Sequence, residues 1–217
     1  MQPTDIMSAR VRGLYAVTPD LERTPALVEC VTRAIAGGIG LLQYRNKHSV
    51  ADLRRVQAAQ LMPICRRAGV PLIVNDDLEL ALELGADGVH LGVADGDLAA
   101  ARRRLGRNRL LGASCYDRYE LAVAAREAGA DYVAFGSVFP SSTKPDAVRA
   151  PLALFGRAKR ELRIPTVAIG GITAQNAAEV IRAGADACAV ISDLFAAPDI
   201  AARAREFNSL FAAATTI

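Results

Sequence analysis

Tryptophan is missing from these 217 residues, and tyrosine and phenylalanine together make up only 5% of them. A core with so few large rings must be packed by Ala, Val, Leu and Ile, which dominate the 52% hydrophobic fraction. That composition suits a parallel sheet covered by helices. A strong charge of either sign is also missing. The 26 basic and 23 acidic side chains leave a net +3, too balanced for nucleic acid or an anionic membrane as the main partner. No apolar run is long enough to span a bilayer. The N-terminal MQPTDIMSAR has no apolar segment of the kind a secretion signal needs. Cysteine is scarce and dispersed: Cys30, Cys65, Cys115 and Cys188 form no CxxC pair and read as reduced, mostly buried thiols of a cytoplasmic protein. No Ser/His/Asp or Cys/His arrangement stands out, so the chemistry is expected to need no protein nucleophile.

What is present is alternation. Apolar runs at Gly13–Val17, Ile39–Tyr44, Leu72–Asn75, Asp87–Leu91, Arg109–Ala113, Asp131–Phe135, Pro165–Ile169 and Ala185–Ile191 read as strands. Between them lie stretches with helical spacing. Thr24 or Pro25 opens the first, which carries Leu27, Val28, Val31 and Ile35. Ser49 is expected to cap a long helix with Val50, Leu53, Leu61, Ile64 and Ala68 on one face and a break or kink at Pro63. Asp117 with Glu120 resembles a capping box ahead of a stripe of Leu121, Ala124, Ala125 and Ala128. Thr173 is expected to cap a helix bearing Ala177, Val180 and Ile181, and the last helix to run from about Asp199 to Phe211. Three helix ends repeat a Gly-Ala-Asp step, at Gly85, Gly129 and Gly184, where glycine suits a left-handed cap. Eight strands alternating with eight helices in one domain, residues 1–12 being a polar lead-in, is the pattern of an α/β (β/α)8 (TIM) barrel. A doubly wound open sheet is the alternative, since alternation alone does not require closure.

In such a barrel the loops after the strands build the site, and there the polar residues gather. Gln43, Arg45 and Lys47 follow the second strand, Asn75 and Asp76 the third, Asp95 the fourth, and Ser114 the fifth. A long loop with Ser141, Thr143 and Lys144 follows the sixth, Gly170-Gly171 the seventh, and Ser192 the eighth. Asp76 and Asp95 close neighbouring strands, so two hard oxygen donors converge there. That suits Mg²⁺, which takes one or two carboxylates and fills its other positions with water and phosphate oxygens. The plainer reading makes both acids caps or solvated loop residues. Arg45, Lys47 and Lys144 beside a metal suit a departing diphosphate. The glycines and Ser192 suit a second phosphate held by backbone N–H groups. His90, inside a strand, reads as a structural histidine with a satisfied ring. His48 reads as exposed, and Asp77 and Asp97 as helix-start acids. The length and Pro/Ser content of Ser137–Ala150 point to a loop that orders on binding.

These segments resemble the thiamine-phosphate synthase (thiamine-phosphate pyrophosphorylase) family over nearly the whole chain. The matching motifs are GLYAVT (Gly13–Thr18), LLQYRNK (Leu41–Lys47), LIVNDDLELALELGADGVHLG (Leu72–Gly92) and LLGAS (Leu110–Ser114). They continue with GADYVAFGSVFPSSTK (Gly129–Lys144), VAIGGIT (Val167–Thr173) and AVIS (Ala189–Ser192). The resemblance implies a cytoplasmic transferase that joins 4-amino-2-methyl-5-(diphosphooxymethyl)pyrimidine to a thiazole phosphate, releasing diphosphate. It implies Gln43, Arg45, Lys47, Asn75, Ser114 and Lys144 as ligands of the pyrimidine diphosphate. It further implies Arg45, Lys47, Ser114 and Lys144 as the catalytic set. Asp76 and Asp95 are implied as Mg²⁺ ligands, and Ser141, Thr143, Gly171, Ile191 and Ser192 as ligands of the thiazole phosphate. Two positions depart from the family pattern. Ser141 stands where Thr is usual and keeps the hydroxyl. Ala94 stands where Gln or Glu is common, which bears on the loop that carries Asp95. A thiazole tautomerase of the same fold and a non-catalytic thiamine-phosphate binder are the rivals; tautomerases tend to lack the metal acids and the diphosphate-binding cations. The partners implied are small-molecule substrates, with no nucleic acid or membrane, and a homo-oligomer stays open.

Overall fold

All eight apolar runs become strands. The computed structural model describes residues 11–140 and 148–215. In it, β1 (Gly13–Val17), β2 (Leu41–Tyr44), β3 (Leu72–Asn75), β4 (Gly88–Leu91), β5 (Leu110–Tyr116), β6 (Tyr132–Phe135), β7 (Thr166–Ile169) and β8 (Ala187–Val190) lie parallel in chain order. β8 pairs back to β1 from Gly13↔Ala187 to Ala16↔Val190. The sheet is a closed (β/α)8 barrel, and the open doubly wound alternative falls away. The helices among the described residues are α1 (Thr24–Ala36), α2 (Ala51–Ala68), α3 (Leu78–Leu84), α4 (Leu98–Leu105), α5 (Tyr119–Glu127), α6 (Ala153–Glu161), α7 (Ala177–Arg182), α8 (Ser192–Phe195) and α9 (Ile200–Thr215). No helix among the described residues is long and apolar enough to cross a membrane.

Period-two alternation splits the core into two shells. Leu14, Leu42, Leu72 and Val133 face outward and pack beneath helix residues such as Leu27, Leu61, Phe155 and Phe207. Tyr15, Leu41, Ile73, Leu110, Tyr132 and Val167 fill the barrel interior. Each of these large side chains contributes about 1.5–3 kcal/mol by burial. The inner shell contains two tyrosines, so the interior carries hydroxyl groups that need partners.

The Gly-Ala-Asp repeat has a mechanical meaning. Gly85, Gly129 and Gly184 all have positive φ, which turns the chain from helix into strand. The following aspartate then clasps the start of the preceding strand. Asp87 accepts from Leu72 N at 2.9 Å, Asp131 from Leu111 N at 2.7 Å and Asp186 from Thr166 N at 2.9 Å. Each also donates its own N–H back to that residue's carbonyl, at 2.8–3.0 Å. Asp131 is further paired with Arg102, which ties Gly129 O and Arg109 O to the same corner.

Several local expectations need correction. Ser49 does not cap α2; Val50 takes the cap position, with no side-chain bond. The buried face of α2 is Gln57, Ala58, Leu61, Met62 and Cys65, while Val50 and Ala68 are exposed. Gln57 is the cause: it accepts from Tyr44 OH at 2.9 Å and donates to Leu21 O at 2.7 Å, so a polar residue is drawn inward. Pro63 does not interrupt α2. Asp117 and Glu120 form no capping box, because Tyr116 turns at φ +53° and the cap falls to Arg118. The buried face of α5 is Tyr119, Ala122 and Ala125. Thr173 does not cap α7; its N–H is taken by Asn176 Oδ1 at 2.8 Å in a turn before the helix begins. Asp77 and Asp97 do cap α3 and α4, accepting from Leu80 N and Ala100 N. The short α8 was not foreseen in the sequence. Much of the Ser137–Ala150 loop, residues 141–147, lies outside the described residues.

Candidate active site

The C-terminal ends of β1 and β2 are zipped by one threonine. Thr18 Oγ1 accepts from Arg45 N and donates to Arg45 O, both at 2.8 Å. Asp20, in the β1 loop, then organises the basic segment. Its carboxylate accepts from Arg45 Nη1 and from Lys47 N, both at 2.9 Å. Arg45 is thereby held mostly buried at the rim, its guanidinium oriented by a charge-assisted bond. Lys47 runs on to the next strand end, where its Nζ is 3.0 Å from Asp76 Oδ2.

Asp76 adopts φ +63°, a left-handed conformation that costs a non-glycine residue energy and calls for a hold. Its N–H, donated to His90 O at 2.8 Å, supplies one. Asp95 sits in a tight turn closed on itself: Gly92 N donates to Asp95 Oδ2 at 2.7 Å, and Asp95 N to Gly92 O at 3.1 Å. Both bonds of the turn run between Gly92 and Asp95 and do not involve Ala94. The pKa of Asp95 is raised, first by lost hydration and further by the Asp76 carboxyl within hydrogen-bonding reach, against the opposing pull of Gly92 N–H and Lys47. Two acids forced together, with one lysine between them, fit a cation. Among the described residues no group of three or more His, Cys, Asp or Glu could hold a metal. Two carboxylates alone suit an ion that takes its remaining ligands from water and phosphate oxygens. A cavity of about 480 Å³ opens beside Lys47, Asn75, Asp76 and Asp95. On its wall Arg54 Nε is buried with no hydrogen-bond partner among the described residues.

Beneath this rim lies a polar floor. Gln43 Nε2 donates to Tyr15 OH at 3.0 Å, and Tyr15 OH meets Tyr132 OH at 2.8 Å. His90 reaches Tyr132 OH with Nδ1 at 3.1 Å and Ser114 Oγ with Nε2 at 2.9 Å. Burial pushes the His90 pKa down to about 4, although Asp76 pulls the other way, so the ring is neutral near pH 7. His90 is a satisfied histidine, as expected, and it also touches a candidate site residue. Ser114 lies inside β5 rather than after it, at a register shift before Tyr116.

On the opposite rim, Gly170 and Gly171 have φ +100° and +63°, and no side chain fits there. A Cβ on Gly171 would stand 2.2 Å from Pro140 O, and one on Gly170 would stand 2.1 Å from Ser137 Oγ. The glycines thus let the β6 and β7 loops touch. Ile191 caps α8 and Ser192 opens it, so their N–H groups belong to the unpaired first turn of a helix. Asp193 braces this corner, accepting from Ala174 N at 3.1 Å and pairing with Arg203 at 2.7 Å.

Gln43, Arg45, Lys47, Asn75, Asp76, Asp95 and Ser114 therefore gather at one end of the barrel, with Gly171, Ile191 and Ser192 at the ends of β7 and β8. Ser141, Thr143 and Lys144 lie outside the described residues. Sequence reasoning missed Asp20, Tyr15 and Tyr132. Asp20 carried a usable signal, being an acid just past the first strand on the same edge. The tyrosines looked like core.

The chain is similar to known proteins in both sequence and fold. The thiamine monophosphate synthase family model matches residues 14–194. The thiamine-phosphate synthase of Aromatoleum aromaticum is 61% identical over 202 residues, covering 93% of this chain and 97% of the relative. That of Methylobacillus flagellatus is 58% identical, covering 93% and 96%. Among solved structures, the thiamine phosphate pyrophosphorylase from Pyrococcus furiosus superposes with a TM-score of 0.85 at 32% identity, over 96% of this chain and 98% of that one. The chain belongs to the thiamine monophosphate synthase family.

Proposed function

We propose that this enzyme joins 4-amino-2-methyl-5-(diphosphooxymethyl)pyrimidine to 4-methyl-5-(2-phosphooxyethyl)thiazole, giving thiamine phosphate and diphosphate. The observation that carries the reading is the convergence of Arg45, Lys47, Asp76 and Asp95 on one rim, directly above the Gln43–Ser114 floor. Gln43, Asn75 and Ser114 would hold the pyrimidine. Arg45 and Lys47, with Lys144, would neutralise the diphosphate. Asp76 and Asp95 would hold Mg²⁺, which when bound supplies Lewis-acid stabilisation of the leaving diphosphate. The C–O bond to the pyrimidine methylene breaks, its electron pair leaving with the diphosphate. The thiazole nitrogen lone pair then forms the new C–N bond. Gly171, Ile191 and Ser192, with Ser141 and Thr143, would grip the thiazole phosphate and orient that nitrogen. Asp20 and Asp76 hold Arg45 and Lys47 in place, so those two charges would need little reorganisation as the bond breaks. The free cysteines, three of them buried, accord with a reducing cytoplasm.

A thiazole tautomerase or an inert binder has no use for paired carboxylates and a clamped arginine. The test is diphosphate release from both substrates, with and without Mg²⁺, in wild type and Asp76→Ala. The expected outcome is Mg²⁺-dependent release, reduced about 100-fold or more in the variant. Folded wild type that releases no diphosphate would overturn the reading.

A further inference from the structure

Five polar side chains cross the barrel interior in single file: Gln43, Tyr15, Tyr132, His90 and Ser114, linked by four contacts of 2.8–3.1 Å. The two ends are residues that the proposed function gives to the pyrimidine; the three in the middle have no such assignment. The middle three are buried, so each bond matters to the groups that make it.

Counting protons restricts the chain severely. A phenol has one proton to give, and a neutral imidazole has one N–H and one acceptor nitrogen. For all four bonds to exist and for both buried phenolic protons, which have no other acceptor among the described residues, to be used within the chain, Tyr15, Tyr132 and His90 must each accept on one side and donate on the other. Only two complete orders satisfy this. In one, every proton points from Gln43 toward Ser114. In the other, all are reversed and Gln43 turns its carbonyl oxygen to Tyr15. The amide is placed with Nε2 on Tyr15 OH, which selects the first order. Gln43 Oε1 and the Ser114 hydroxyl proton then have no partner among the described residues.

Gly112 gives independent support. It sits in register between His90 on β4 and Tyr132 on β6. A Cβ there would stand 2.1 Å from Tyr132 Cζ and 2.5 Å from His90 Nδ1. The glycine is the gap through which the chain passes, and the His90 and Tyr132 rings stack across it at 5.5 Å.

We propose that Tyr15, Tyr132 and His90 are positioning residues whose proton order makes Gln43 present an acceptor and Ser114 a donor, selecting an amino-substituted pyrimidine over its oxo counterpart. The ligand half of this inference rests on the proposed function. The chain itself rests on hydrogen bonds alone. An oxo group would set two acceptors against each other at Gln43, and sites built on such bonds discriminate strongly.

Nitrogen-15 spectra of labelled full-length protein test the chain without any substrate. Only two histidines are present, and His48→Gln assigns the rings. His90 is expected as the neutral Nε2–H tautomer; an Nδ1–H tautomer or a doubly protonated ring would overturn the proposal. Tyr15→Phe keeps the ring and removes the link. Its KM for the aminopyrimidine diphosphate should rise about tenfold, with the thiazole phosphate KM unchanged, and selectivity against the 4-oxo analogue should fall about tenfold. Unchanged values on both pyrimidines, in a folded variant, would overturn the specificity role. Should Tyr15→Phe not fold, the wild-type tautomer decides. Wild type that turns over neither pyrimidine would sink the functional reading, while the tautomer still judges the chain.

Discussion

At the N-terminal end of the barrel, Asp87, Asp131 and Asp186 each accept from a backbone N–H at the start of the preceding strand. At the C-terminal end, Asp20, Asp76 and Asp95 face Arg45, Lys47 and one another. The residue type is the same, and the partners decide what it does. An aspartate bound to main chain is complete within the fold. An aspartate crowded by a second carboxylate, as Asp95 is by Asp76, carries a charge that the fold only partly offsets. This division matches the general one in these barrels, stability at one end and chemistry at the other.

The contrast breaks most visibly at Asp131. Replacing it with Ala leaves Arg102 without its buried partner and Leu111 N without an acceptor, a loss of about 3 kcal/mol or more. At roughly 2–4 °C per kcal/mol for a chain of this size, the thermal midpoint should fall by about 6 °C or more, with kcat at 25 °C unchanged. A parallel loss of kcat would mean that the two ends are not independent. Asp20→Ala should do the reverse. With Arg45 no longer held, kcat/KM for the pyrimidine diphosphate should fall about tenfold, about 1.4 kcal/mol, with the midpoint nearly unchanged in a melting scan. The smallest effect concerns Asp95. Its folded-state pKa is raised, so its contribution to stability is present below the unfolded value and is lost as pH rises through the raised one. Without divalent cation, Asp95→Asn should therefore melt slightly higher than wild type near pH 7, the difference shrinking toward about pH 4. A variant that melts lower near pH 7 would show that the two acids are not in conflict.

The strands were legible because short apolar runs bounded by Gly, Pro or Asp leave few alternatives; β1 and β3 fall where the sequence puts them. Capping was less legible. Ser49, Asp117 and Thr173 have suitable side chains, but the backbone turns that precede α2, α5 and α7 place other residues at the cap. The inward faces of α2 and α5 were misread because Gln57 and Tyr119, neither purely apolar, are drawn in by hydrogen bonds to Leu21 O and Glu161. The charged rim was readable from position alone. The floor was not, because Tyr15, His90 and Tyr132 meet only through register and pleat, which no single segment of sequence encodes.

The three aspartate clasps also bear on how the chain finds its fold. Each joins residues only 15 to 20 positions apart, and the entropy of closing a loop grows with the logarithm of its length. Neighbouring strand pairs can therefore register early and separately. The β1–β8 seam instead joins the two ends of the barrel sequence, and Asp186 stands at that seam too, its carbonyl accepting from Gly13 N at 2.9 Å. The residue that finishes the last local clasp thus already holds the acceptor on which the whole circle closes.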